Sequence, residues 1–229
     1  MAANIFWRLT NSDSTARYAE WVRGEVRLER VTCAANEGHR RGGKRLTNLS
    51  VALRGRGVED FVWTWLSECL VQDRVLELFK ASGFTGFDVK PVKAKFKRAS
   101  AGDPPSLWEL VVTGWAGMAP AETGIKLIEE CRACGLLRYS GCPNPGRLID
   151  AAQWDGSDFF MVWPLPKFIF ISDRVAQMIR DRSLTGAVLK RPTDIFSGLA
   201  SGCGFGPGRL SHWMPEERAR ELGGALGIA

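Results

Sequence analysis

The chain has 229 residues, of which 45% are hydrophobic, enough to build one large or two small globular domains. Lys and Arg number 31 against 25 Asp and Glu, so the formal charge is +6, which permits contact with nucleic acid or with an acidic protein but requires neither. The longest charge-free stretch, residues 195–208, is rich in glycine and too short to span a bilayer, and the first residues lack the pattern of a secretory signal. We therefore expect a cytoplasmic protein without membrane contact.

The numbers of cysteine, histidine and tryptophan residues limit the kinds of functional site that the chain can contain. Six cysteines are too few for a disulfide scaffold, and a reducing compartment keeps them as thiols or metal ligands. The two histidines, His39 and His212, leave little material for a histidine base or a histidine-rich metal centre. The nine tryptophans are expected to fill the core rather than to stack on bases.

The first hundred residues predict strands around one short helix. Residues 25–29 alternate charged and apolar side chains, which is typical of a half-exposed strand. A strand over residues 69–71 leads into a helix, and Gly86 closes the turn that follows it. The next strand, residues 87–97, presents three lysines on one face. That stripe predicts a solvated edge strand protected against aggregation, with a nucleic-acid contact as the alternative.

An internal repeat organises the chain. Shifting the sequence by 100 places aligns positions 60–92 with positions 160–192 without a gap. The residues of the first copy that recur identically in the second are Val62, Trp63, Asp73, Arg74, Val75, Thr85, Gly86 and Lys90. Because the intervening apolar positions also correspond, we expect one strand, helix, turn, strand unit in each half, with Trp63 and Trp163 at equivalent buried positions.

The second copy gives the clearest local pattern. The β-prone run 168–171 ends at Ser172, a good N-cap, and Asp173 follows in the first turn of the predicted helix. Another strand is expected over residues 107–113, and a last short helix runs from Pro215 to Gly223. The glycine-rich stretch 195–208 predicts a loop.

These patterns predict an α+β fold that is rich in strands. We expect two pseudo-repeated halves, residues 1–100 and 101–229, joined in one compact unit. The second half carries a C-x-x-C-G sequence at residues 131–135, placed between predicted strands 125–129 and 136–139. This arrangement is typical of one hairpin of a zinc ribbon.

The C-x-x-C-G sequence provides two ligands of a tetrahedral zinc site. Cys131 and Cys134 can reach one ion, while Gly135 takes the positive φ that the tight turn needs. A structural site needs two more ligands, and the candidates are Cys33, His39, Cys142 and Cys203. Cys33 and His39 are preferred, because Cys33 lies before Trp63 at nearly the spacing that separates Cys134 from Trp163. Zinc and a pair of free thiols both stay open.

Three long segments resemble one protein family. They are LVVTGWAGMAPAETGIKLIEECRACGLLRYSG at residues 110–141, LIDAAQWDGSDFFMVWPLPKFIFISDRVAQMI at 148–179, and GPGRLSHWMPEERARELG at 206–223. In these segments the chain resembles the double-CXXCG-motif proteins of myxobacteria, some of which act as immunity proteins against toxins exchanged between sibling cells. The resemblance implies a first knuckle that is eroded here, with Cys33 in place of one cysteine and Arg30 three residues before it.

The resemblance implies a function that composition does not show. It points to a non-enzymatic cytoplasmic immunity protein that binds and neutralises a cognate protein toxin. One alternative is a zinc-ribbon-like nucleic-acid-binding protein, favoured by a set of basic residues near Cys33 and by the lysine strand. The basic residues are Arg40, Arg41, Lys44, Arg45, Arg54 and Arg56. A further alternative is an enzyme that uses Asp155 and Asp158, although such residues more commonly form a turn.

Overall fold

The computed structural model describes residues 5–11, 19–55, 57–98, 102–194 and 206–229. This part of the chain forms a mixed α+β fold, rich in strands, with three α-helices. Most of the loop predicted at residues 195–208, including Cys203, lies outside the described residues. None of the helices in the described part has the length and apolar character needed to cross a membrane.

The elements follow one another along the chain as short strands interrupted by three helices. The strands are β1 (Phe6–Thr10), β2 (Glu20–Trp21), β3 (Leu28–Val31), β4 (Arg41–Arg45), β5 (Ser50–Leu53), β6 (Phe61–Trp63), β7 (Cys69–Gln72), β8 (Phe87–Phe96), β9 (Leu107–Val112), β10 (Gly114–Met118), β11 (Leu127–Cys131), β12 (Leu136–Tyr139), β13 (Phe159–Trp163), β14 (Ile169–Ser172) and β15 (Val188–Lys190). The helices are α1 (Asp73–Ala81), α2 (Asp173–Asp181) and α3 (Glu216–Gly223).

Two larger sheets and two separate hairpins contain all of these strands. The first sheet has the order β2-β5-β8-β9-β7-β6, and the second has the order β10-β13-β14-β1-β15. Hairpins β3-β4 and β11-β12 stand apart from both sheets. Strand β1 thus belongs to a sheet that otherwise comes from the end of the chain, and β9 belongs to a sheet that otherwise comes from its beginning.

Helices α1 and α2 begin and end in the same way. Each starts with an aspartate and buries its valine at the third position, and each is followed by a residue with positive φ, Gly83 or Ser183. Both helices lie where the sequence predicts them. Helix α3 also begins after Pro215 and ends at Gly223, as predicted.

The predicted side-chain cap at Ser172 is wrong. Its hydroxyl makes no capping bond to α2 and instead donates to the buried Asp158 carboxylate at 2.7 Å. Gln72, the residue that precedes α1, also leaves its helix uncapped, because its amide donates to the carbonyl of Val58 at 2.8 Å. Both side chains therefore tie the helix start to the segment before the preceding strand.

Two pairs of reciprocal contacts join the turns after α1 and α2 to the opposite strands. The Asp60 carboxylate accepts from the backbone N–H of Thr185 at 2.8 Å, and the Asp158 carboxylate accepts from that of Thr85 at 3.2 Å. The residue after each aspartate adds a second bond to the same threonine. The N–H of Phe61 donates to the carbonyl of Thr185, and the N–H of Phe159 donates to that of Thr85, both at 3.0 Å. Each turn is therefore held by the other half of the chain.

The main core is shared between the two sheets. It takes buried side chains from both sheets and from all three helices, including Phe61, Phe79, Phe159, Val175 and Ala219. Burial of this apolar surface is the main favourable contribution to folding. Trp63 and Trp163 are 6% and 0% exposed, so the prediction that both indoles are buried is confirmed.

The structure corrects two predicted strands. Glu25 is the last residue of a turn over residues 23–25, and the strand expected at residues 25–29 begins only at Leu28. Strand β8 lies between β5 and β9 in the sheet order, but its two ends differ: residues 87–92 pair with β9, and residues 93–96, which carry Lys93 and Lys95, pair with β5. The three lysines of the predicted stripe contact carboxylates: Lys93 and Lys95 contact Glu25 at 3.1 and 3.6 Å, and Lys97, just after the strand, contacts Glu20 at 2.5 Å.

Replacement of Gly86 or Gly186 by alanine should destabilise the protein by similar amounts. Both have positive φ, and an added Cβ would overlap with the backbone carbonyl oxygen of Phe159 or Phe61. We expect a loss of about 3 kcal/mol in the free energy of unfolding, from a left-handed alanine plus a backbone clash. Urea unfolding measures the loss.

The control variants are Gly55→Ala and Gly156→Ala. These glycines have φ values of +84° and +85°, but nothing lies within 4 Å of their added Cβ. They should lose only about 1–2 kcal/mol, the cost of the conformation itself. Equal losses of unfolding free energy in all four variants would contradict the close contact of the two turns with the opposite strands.

Candidate metal centre

Four candidate ligands converge at the tips of the two separate hairpins. Cys33, His39, Cys131 and Cys134 each offer one ligand atom, and these atoms all lie within 4.8 Å of one another. The first two residues lie between β3 and β4, and the last two lie at the turn between β11 and β12. These are the same four residues that the sequence puts forward.

The turn of the second hairpin depends on Gly135. The N–H of Gly135 donates to the Cys131 carbonyl at 2.8 Å, which folds the backbone so that both cysteines face the same side. Its φ is +65°, and a Cβ at this position would lie 2.6 Å from the Arg209 guanidinium. Arg209 also donates to the carbonyl of Ala229 at 3.1 Å, so the end of the chain packs against this turn.

The first hairpin supplies its two ligands through a longer loop. Cys33 follows the end of β3, and His39 closes the single-turn 3-10 helix Glu37–His39. Asn36 caps this turn, since its Oδ1 accepts from the N–H of Gly38 at 2.9 Å. The cap fixes the direction in which the imidazole leaves the backbone.

The spacing of the ligand atoms fits a tetrahedral zinc ion. The Sγ atoms of Cys33 and Cys131 are 3.7 Å apart, and Cys134 Sγ lies 3.7 Å from His39 Nδ1. Zinc bonds of about 2.3 Å to sulfur and 2.0 Å to nitrogen place tetrahedral ligands about 3.5–3.8 Å apart. The four side chains therefore need little rearrangement to bind one ion.

The His39 ring is oriented by a carboxylate on the other hairpin. Its Nε2 lies 2.8 Å from Glu129 Oε1, while Nδ1 faces the cysteines. The pKa of His39 is raised, first by the neighbouring Cys134 and then by Cys33 and Glu129, against the effect of desolvation. A carboxylate that holds the second ring nitrogen is common behind a metal-bound histidine. Sequence reasoning missed Glu129, whose only signal is its place two residues before Cys131.

Arg41 supports the thiolate of Cys134. Its guanidinium donates to Cys134 Sγ at 3.3 Å and to the Cys134 carbonyl at 2.7 Å. This charge-assisted hydrogen bond is the main cause that lowers the pKa of Cys134 to about 6. A thiolate near neutral pH is the form that binds a metal. In the sequence, Arg41 is one of a group of basic residues near Cys33, and nothing there marks its role.

Cys69, Cys142 and His212 lie outside the cluster. Cys142 is buried in a separate apolar cluster, where its Sγ lies 4.0 Å from the carbonyl oxygen of Thr123. Cys69 is also buried, and desolvation raises the pKa of its thiol. Burial lowers the pKa of His212, which favours the neutral imidazole. Of the predicted candidates among the described residues, Cys142 is the one that does not join the centre.

Asp155 and Asp158 serve as hydrogen-bond acceptors within the fold. The Asp155 carboxylate accepts from the N–H groups of Trp115 and Ser157 at 3.0 and 3.1 Å. Asp158 is 3% exposed and accepts from Ser172 and from the turn at Thr85. Both contacts hold segments together, which is the role that turn-forming aspartates commonly have.

Comparison of the sequence with protein-family models gives no match, and comparison with curated proteins gives none either. The geometry gives a closed set of four ligands, three thiols and one imidazole, that joins two hairpins.

The purified protein should contain one zinc ion per chain, and Cys134→Ser should remove it. Zinc binding adds to the folding free energy. A loss of about 5 kcal/mol would lower the melting temperature by roughly 10–20 °C in a chain of this size. Elemental analysis gives the zinc content, and thermal unfolding with and without a chelator gives the shift.

Cys142→Ala is the matched control for this prediction. Its cysteine is buried but lies outside the cluster. This variant should keep the full zinc content and the full response to chelator, whatever its own stability. A wild-type chain with well below one zinc per chain, or without a response to chelator, would contradict the prediction.

Proposed function

We propose that this chain is a zinc-clamped immunity protein that neutralises a partner protein toxin by direct binding, without catalysing a reaction. Zinc would be held by Cys33, His39, Cys131 and Cys134. The observation that carries the metal assignment is the convergence of these four ligand atoms from two separate hairpins. Toxin binding in the cytoplasm is supported by the sequence resemblance.

A structural role for the metal is favoured by the ligand set. A catalytic zinc keeps one position open for water or substrate, whereas a structural zinc is closed by four protein ligands. Three sulfurs and one nitrogen in a tetrahedral arrangement are typical of zinc in preference to magnesium or calcium. With four protein ligands the ion would act as a cross-link. It would have no vacant coordination position at which to act as a Lewis acid on a substrate.

We infer that the two halves of the chain are structural repeats. The reciprocal contacts of Asp60 with Thr185 and of Asp158 with Thr85 support this. So does the pairing of strands β9 and β1, which bring Trp108 opposite Val71 and Trp7 opposite Ile171.

The pairing of β1 and β9 further implies that each repeat places its first strand in the sheet of the other repeat. Trp7 donates its indole N–H to Asp173 at 2.8 Å, and Trp108 donates to Asp73. In each case the tryptophan comes from the first strand of one half and the aspartate from the helix of the other half. Such an exchange makes the interface isologous, as in a dimer with twofold symmetry.

If the halves exchange strands, a cut between them should not separate them. A protease site inserted between Gly102 and Asp103, which are exposed, allows the folded protein to be cleaved there. The two fragments should co-elute from a size-exclusion column, even after chelation. Separate elution of folded fragments after chelation would contradict strand exchange, whereas the uncleaved inserted protein controls for the effect of the insertion.

Protein binding is favoured over nucleic-acid binding by the placement of the cations. Of the basic residues near Cys33, Arg41 is bonded to Cys134, and Arg45 and Arg54 are paired with Glu109 and Glu20. The lysines of β8 are likewise paired with glutamates. These cations are less available to neutralise phosphates, so the specific reason for the nucleic-acid alternative is weakened.

The test of the immunity function uses the genes that lie next to this one. Each neighbouring reading frame would be expressed in a host cell with and without this protein. We expect one product to arrest growth, this protein to restore it, and the two purified proteins to form a complex of fixed stoichiometry. Growth should be restored without chemical modification of the toxin, as mass spectrometry can show.

Two other outcomes would overturn the proposal. If no neighbouring product is toxic or none is bound, the partner assignment fails. If instead the purified protein retains RNA or DNA with an affinity that falls steeply between 50 and 200 mM salt, about 10³-fold or more for several phosphate contacts, nucleic-acid binding replaces it.

A further inference from the structure

The two ligand loops share a hydrogen-bond pattern around their first cysteine. In the second hairpin, Cys131 Sγ accepts backbone hydrogen bonds from Ala133 and Cys134, two and three residues later. In the first hairpin, Cys33 Sγ accepts them from Ala35 and Asn36, again two and three residues later. Cys33 therefore corresponds to Cys131, the first cysteine of the C-x-x-C sequence.

The correspondence continues at the fourth residue of each loop. Cys134 Sγ accepts from the backbone of Leu136, two residues later. Asn36 Oδ1 accepts from the N–H of Gly38, also two residues later, at 2.9 Å. An amide oxygen thus makes in the first loop the backbone contact that a thiol makes in the second.

This register replaces the one that the sequence indicates. The sequence aligns Cys33 with Cys134. In that alignment Arg30 stands at the position that corresponds to Cys131. Arg30 instead lies within strand β3, opposite Gly42, and its side chain is exposed. The departure lies three residues after Cys33, at Asn36.

We propose that Asn36 occupies the fourth-ligand position of the first loop and that His39 has taken over the ligand role from it. This proposal rests on the metal centre proposed above. An amide is a poor ligand for zinc compared with a thiolate or an imidazole. The one-turn helix Glu37–His39 brings the imidazole back to the three sulfur atoms, and Asn36 acts as a positioning residue through the cap that its Oδ1 makes with Gly38.

The proposal predicts that a thiol at position 36 makes His39 dispensable. His39→Ala alone should lower the affinity for zinc by more than about 100-fold, the upper end for loss of a supporting residue. The double variant Asn36→Cys with His39→Ala should bind within about tenfold of the wild-type affinity. Competition with a chromophoric chelator measures the affinities.

Cobalt reports on the number of sulfur ligands independently of affinity. With Co²⁺ in place of zinc, the thiolate-to-metal charge-transfer absorption per cobalt should rise by about one third when three thiolates become four. The matched control is Ala35→Cys with His39→Ala, in which the thiol is displaced by one residue. That variant should neither recover the affinity nor show a fourth thiolate.

Each contrary outcome has a distinct meaning. Equal, weak binding by the two double variants overturns the role of position 36 and leaves the metal centre intact. If the double variants do not fold, Asn36→Cys alone retains all four original ligands, and an unchanged three-thiolate cobalt spectrum in it overturns the proposal. A wild-type chain that binds neither zinc nor cobalt overturns the metal centre itself.

Discussion

The approach of two glycine turns to two strand backbones is the constraint on which the arrangement of the halves depends. At Gly86 and Gly186 the chain comes so close to the carbonyls of Phe159 and Phe61 that no side chain can be accommodated. This contact lets the threonine before each glycine bind an aspartate of the other half. Because the two contacts are reciprocal, neither half can complete its own packing without the other.

The hairpins that carry the metal ligands lie outside this framework. Hairpins β3-β4 and β11-β12 pair with no strand of the two large sheets, so a backbone ladder does not fix their relative position. An ion bound between Cys33 and Cys131 would provide that fixation. Such a clamp matters most for hairpin β3-β4, whose strands contain no buried residue, because β12 already packs Leu137 and Tyr139 into the main core.

The sequence predicts the candidate metal ligands more accurately than it predicts the sheet topology. Helices α1, α2 and α3 have an apolar periodicity and turn residues after them that can be read locally, although no side chain caps their first turns, and the four candidate ligands follow from residue type and spacing. The places of β1 and β9 in their sheets cannot be read in this way, because each has the same local pattern whichever sheet it joins. The β8 lysines mislead for a related reason, since their glutamate partners, Glu20 and Glu25, are remote in sequence. Glu129 and Arg41 cannot be identified from the sequence, because residues that support metal ligands lie at no fixed distance from them along the chain.

The charge of the centre explains why its supporting residues differ in sign. Zinc with three thiolates and a neutral imidazole carries a formal charge of about −1, which a nearby guanidinium stabilises. Arg41 lies beside the Cys134 sulfur, where this negative charge is concentrated, and Glu129 lies behind the imidazole, where it holds the ring proton. Glu129 is in turn paired with Arg138, so the carboxylate does not add an uncompensated charge. The net charge of +6 already counts every carboxylate, and a bound centre of this kind would lower it by only about one, so an excess of positive charge remains on the molecule.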